Sequence, residues 1–85
     1  MRDILFAPNA IEDLGYWVGV DRKRAQKILD LIVEAAENPF KGRGKPEPLK
    51  LKLSGCWSRR ITQEHRLVYE VTDCYIRILA CRYHY

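Results

Sequence analysis

No stretch of this sequence approaches the roughly 18 consecutive apolar residues that a bilayer-spanning helix requires. At the N-terminus, Met1-Arg2-Asp3-Ile4-Leu5-Phe6-Ala7-Pro8 carries one basic residue and a short apolar run broken by proline, which reads as a strand and not as a signal peptide. Cysteine is scarce: Cys56, Cys74 and Cys81 are odd in number, and their spacing matches no zinc pattern. With only two histidines, His65 and His84, neither a metal nor another cofactor is expected. The thiols read as small hydrophobes of a reduced, cytoplasmic protein. Gly42-Arg43-Gly44 is too short to cradle the phosphates of a nucleotide. Ser54 and Cys56 flank a turn glycine, but no recognisable histidine–carboxylate pair stands near to activate either as a nucleophile. Repeats and low-complexity segments are absent, and the 85 residues have room for one domain, 1–85, with one core.

Acidic residues are missing where basic ones gather. Residues 41–66 hold eight lysines and arginines against Glu47 and Glu64 alone, while the remainder carries seven positive charges against nine negative. A polyanion would therefore meet the C-terminal half.

Periodicity gives the elements. Residues 3–6 read as a strand. Asn9 suits an N-cap with Glu12 in capping-box position, and Ile11, Leu14 and Val18 follow at helical spacing beside Trp17. Asp21 can cap a second helix with an apolar stripe of Ala25, Ile28, Leu29, Ile32 and Ala36, stopped by Asn38-Pro39. Residues 40–48, with two glycines and two prolines, read as a loop. Strands are expected over 49–53, 57–62, 65–72 and 75–81, with turns at Ser54-Gly55 and Asp73. The expectation is an α+β fold, an N-terminal strand and two helices packed on one face of a mostly antiparallel sheet, which leaves the other face free to be basic.

That free face can be read from strand parity. If Leu67, Tyr69 and Val71 point at the helices, Arg66 points away, and an inward Ile61 sends Arg60 and Thr62 to the same side as Arg66. Two guanidiniums on adjacent strands make a phosphate clamp, unless Glu64 and Glu70 tie them into an ion-pair network. Glu47, held between two prolines in a positive loop, is a carboxylate able to accept a proton. The local residues favour a plainer role for it, neutralising Lys45 and Lys50. His65 falls on the helix side and reads as structural. The ending Arg82-Tyr83-His84-Tyr85 supplies an imidazole suited to proton transfer near neutral pH and phenols that either stack on bases or, Tyr83 above all, pack as core aromatics. Glu47 as base, Arg66 as stabiliser of developing charge and His84 as acid would make a metal-independent RNA-cleaving set, the 2′-hydroxyl serving as nucleophile.

Several ordered motifs sharpen this. Asn38-Pro39-Phe40, Gly42-Arg43-Gly44-Lys45-Pro46-Glu47-Pro48-Leu49-Lys50, Leu53-Ser54-Gly55, Trp57-Ser58-Arg59-Arg60-Ile61-Thr62, Glu64-His65-Arg66-Leu67-Val68-Tyr69 and Cys81-Arg82-Tyr83-His84-Tyr85 together resemble the YoeB (Txe) toxins of the RelE superfamily. The resemblance implies a RelE-like fold and a ribosome-dependent mRNA endoribonuclease that cuts message in the A site. It also implies a YefM-type antitoxin as partner, contact with operator DNA only through the antitoxin complex, and no membrane. By motif, Glu47, Arg66 and His84 match the catalytic residues, Tyr85 the terminal aromatic, and Lys50, Arg59 and Arg60 a basic RNA-binding surface. Cys56 departs from the pattern, standing where an aromatic is expected before the tryptophan. A non-catalytic ribosome-binding or operon co-repressor protein is the alternative, and the short core leaves room for a homodimer.

Overall fold

The computed structural model describes residues 1–50 and 55–83. They form β1 (Asp3–Phe6), α1 (Pro8–Val20), α2 (Arg22–Glu37), β2 (Glu47–Pro48), β3 (Cys56–Arg60), β4 (Arg66–Val71) and β5 (Tyr75–Ala80). The five strands make one sheet in the order β1-β5-β4-β3-β2. β1 runs parallel to β5, with Asp3 opposite Tyr75, and every other pairing is antiparallel. Residues of α1, α2 and one sheet face share the core, which includes Trp17, Ile28, Ile32, Leu67, Tyr69, Ile76 and Ile78. The α+β expectation is met.

Three local expectations are corrected. The first helix is opened by Pro8 behind an Ala7 cap, not by Asn9, because proline's missing N–H costs nothing in the first turn. Asn9 instead donates to Asp13 and to the Leu79 carbonyl. The buried face of α1 is Ala10 and Trp17 with Leu14 partly covered, so Ile11 and Val18 lie exposed. Trp17 sets this phase: its ring is buried and its Nε1 donates to the Cys81 carbonyl at 2.9 Å. In α2, Leu31 and Ala35 are buried and Leu29 is exposed. The Asp21 cap forms as expected, accepting from the Arg24 N–H at 3.1 Å.

The third correction concerns residues 47–48, expected as loop. They pair with β3, Glu47 opposite Ser58 and Pro48 opposite Trp57, and proline is tolerated because β2 is an edge strand. Of the strand expected over 49–53, residues 51–53 lie outside the described residues, as does Ser54 of the expected turn. The turn at Asp73 is present: the Thr72 hydroxyl accepts from the N–H groups of Cys74 and Tyr75.

Candidate active site

Arg59 organises the loop that carries the candidate site. β3 alternates, with Arg60 on the bare face and Arg59 on the helix side. There the Arg59 side chain is 0% exposed. Its five N–H donors make five hydrogen bonds: Nε to the Tyr69 hydroxyl, Nη1 to Glu34 and the Arg43 carbonyl, Nη2 to the carbonyls of Asn38 and Lys41. The expected place of Arg59 in an RNA-binding surface is therefore corrected. A guanidinium with every donor engaged inside the fold has nothing to offer a phosphate. Strand alternation carried the signal, since an inward Ile61 sends Arg59 inward too.

Around this hub the loop closes. Tyr69 donates to the Pro39 carbonyl at 2.7 Å, and burial pushes its phenol pKa up against the opposing pull of Arg59. Glu34 accepts from the Arg43 N–H at 2.6 Å and from Arg43 Nε at 2.8 Å. The backbone bond first, then the Arg43 side chain, hold the Glu34 carboxyl below its ordinary value of 4.5, with desolvation opposing. A depressed folded-state pKa stabilises above the ordinary value, and that stabilisation is lost as the pH falls through the folded value. Acid unfolding curves should show it: Glu34→Gln is expected to reduce the loss of stability below about pH 4.5.

Gly44 then brings the loop against β3. Its carbonyl accepts from the Arg60 N–H at 2.7 Å, and its φ is +83°. A Cβ there would lie 2.9 Å from the Arg60 carbonyl oxygen. Gly44→Ala is expected to cost about 1–3 kcal/mol, read as a lowered midpoint in urea unfolding. Lys45 follows at φ +49°, a strained position for a residue with a side chain.

The result is a depression of about 50 Å3 on the bare sheet face, lined by Gly44, Lys45, Glu47, Ser58, Arg60 and Arg66. Arg60 and Arg66 stand directly opposite each other across β3 and β4. Like charges so placed repel, and an anion between them would relieve this. Glu70, a candidate ion-pair partner at the sequence level, is engaged by Arg77 at 3.1 Å instead. Arg66 Nη1 donates to the carbonyls of Thr62, Gln63 and His65 at 2.6, 3.0 and 3.1 Å, which fixes the guanidinium. Nε and Nη2 have no hydrogen-bond partner among the described residues. Glu47 is exposed at the sheet edge and makes no ion pair among the described residues. Lys50 is exposed just beyond β2 and does not line the depression.

His65 is buried on the helix side, its ring 4.8 Å from that of Trp17. Its Nδ1 accepts from the Tyr83 N–H at 2.7 Å, and the Tyr83 carbonyl accepts from the Arg66 N–H at 3.0 Å. These two hydrogen bonds, one to the His65 ring and one from the Arg66 backbone, hold Tyr83 in place at a φ of +60°. His84 and Tyr85 lie outside the described residues. Cys56 and Cys81 are buried; burial pushes both thiols up, Cys81 to about 12, so neither is a nucleophile near neutral pH.

Two helices on one side of a five-stranded sheet is a fold shared with solved bacterial toxins. The YoeB dimer from Staphylococcus aureus has it, with a TM-score of 0.90 and 47% identity over 99% of this chain and 98% of that one. So does the S. aureus YoeB–YefM complex, at a TM-score of 0.88 and 45% identity over 100% and 99% of the two chains. Toxin YoeB of Escherichia coli K12 is 52% identical over 82 residues, 96% of this chain and 98% of that protein. The model of the YoeB-like toxins of bacterial type II toxin–antitoxin systems matches residues 6–85. The chain belongs to this family.

Proposed function

We propose that this toxin is a metal-independent endoribonuclease, a single domain over residues 1–85 that cuts mRNA in the ribosomal A site and so stops translation. The observation that carries the reading is the meeting of Glu47, Arg60 and Arg66 in one depression on the bare face. Glu47 takes the proton from the 2′-hydroxyl, which attacks the adjacent phosphorus. Arg66, oriented by the turn carbonyls, neutralises charge as it develops on the phosphate. Arg60 binds the same phosphate from the opposite strand. His84 donates a proton to the departing 5′-oxygen; in support, the carbonyl one peptide bond before it is bonded to the Arg66 N–H. Tyr85 stacks on a base, and Lys50 adds positive charge along the RNA path.

A YefM-type antitoxin is the proposed inhibitor, and operator DNA is met only through that complex. Exposed Ile11 and Val18 on α1 offer apolar area to the antitoxin or to a second copy in a homodimer. No helix among the described residues is long and apolar enough to cross a membrane. A ribosomal target places the protein in the cytoplasm.

Primer extension on a defined mRNA, with and without programmed ribosomes, tests the reading. Cuts that appear only with ribosomes are expected. Cuts in free RNA alone would leave a general ribonuclease, and blocked translation without cuts would leave a ribosome-binding inhibitor.

A further inference from the structure

A second, larger cavity adjoins the depression. It measures about 330 Å3, against about 50 Å3 for its neighbour. Lys27, Arg43, Lys45 and Arg60 line it with Leu31 and Ile61, and among the described residues no acidic one does. Lys45, Arg60 and Gly44 line both cavities, so the two adjoin across one shared wall. The volume falls within the roughly 300–1,000 Å3 typical of small-ligand sites.

Its cations are held in place. Lys27 Nζ donates to the Ile61 carbonyl at 2.6 Å, which uses one of three ammonium donors and leaves two to turn toward a ligand. Arg43 is fixed by its ion pair to Glu34 at 2.8 Å. Lys45 stands in the shared wall with its backbone in the left-handed conformation, and Gly44 just before it is pressed on Arg60. Backbone strain of this kind persists where the surroundings over-determine it, and it gathers at binding sites. Four cations around an apolar Leu31–Ile61 patch suit a group that is anionic on one side and flat and apolar on the other.

We infer that this groove between α2 and the 43–45 loop seats a whole nucleotide of the substrate strand, next to the phosphate that is cut. The neighbouring phosphate lies among Lys27, Arg43 and Lys45, with the sugar or base against Leu31 and Ile61. Lys45 and Arg60 then stand between two successive phosphates. This rests on the RNA-cleaving reading of the depression, but binding can test it apart from cleavage.

The probes are single-stranded RNA oligonucleotides carrying a 2′-deoxy nucleotide in place of the one that supplies the attacking hydroxyl. A short one spans the cut, and longer ones add a nucleotide at the 5′ or the 3′ end. Binding of the full-length protein is measured over a range of salt. The wild type should gain affinity on extension in one direction. In Lys27→Gln that gain should disappear while the short oligonucleotide binds as before, and the salt slope on the long one should fall by about 0.7. Lys27→Arg should restore the gain. Lys45→Asn, which tolerates the left-handed conformation without the charge, should lose it as well. Melting curves establish that each variant is folded. Equal gains in wild type and Lys27→Gln would overturn the assignment. So would variants that bind ribosomes more weakly but keep the full gain, since the groove would then serve ribosomal RNA. If the wild type shows the gain yet cuts no message, the cleavage reading fails and the nucleotide groove stands.

Discussion

Arg59→Met should lower the melting temperature by more than roughly 12 °C, taking about 3–5 kcal/mol of lost stability and about 4–8 °C per kcal/mol in a domain of this size. Methionine approximates the volume of the arginine stem but supplies none of its five donors. The carbonyls of Asn38, Lys41 and Arg43 and the hydroxyl of Tyr69 would each lose a buried partner. The damage concentrates in residues 38–45, the run that presents Gly44 and Lys45 to the bare face. Differential scanning calorimetry decides the matter. A surface arginine that only touched RNA would leave the melting curve where it was, and an unchanged curve would remove Arg59 from the interior hub described above.

The second large effect is on chemistry. Glu47→Gln should reduce ribosome-dependent cleavage by about 10²–10⁴-fold with little change in stability, because a lost general base has that magnitude and the residue sits exposed on an edge strand. Arg66→Ala should fall by about 10²–10³-fold, the usual cost of one transition-state donor. It should also melt somewhat earlier, since Nη1 ties down three carbonyls of the preceding turn. His84→Ala should lose cleavage while retaining RNA binding. Single-turnover rates on ribosomes programmed with one message separate these cases from failures of binding. Glu47→Gln cutting at the wild-type rate would remove the carboxylate from the reaction.

Much of this arrangement was legible in the residues. Alternation along 66–71 put Leu67 and Tyr69 inside and Arg66 outside, and it sent His65 inward to a structural post. It could also have placed Arg59, whose parity is that of Ile61; the motif's cluster of positive charge drew attention from the pattern. Helix phase was harder. In α1 the aliphatic spacing of Ile11, Leu14 and Val18 competes with Ala10 and Trp17, and the large ring with a polar edge wins because it fills the core while reaching a carbonyl. β2 was missed because Glu47-Pro48 carries turn-like residues, and only the partner strand reveals that they lie at an edge. The left-handed conformation of Lys45, in the wall the two cavities share, has no marker in the sequence beyond the preceding glycine.

The strand order carries a consequence for synthesis. β5 is made last, yet it lies inside the sheet between β1 and β4. A growing chain has both helices and most of the sheet's outer strands long before it has the strip on which β1 and β4 converge. Pairings between residues so far apart in sequence form late, after the loop between them has been closed. The seam between β1 and β4 therefore stays open until β5 has been synthesised. A product truncated before β5 would be an incomplete sheet with an open seam, prone to stick to other chains.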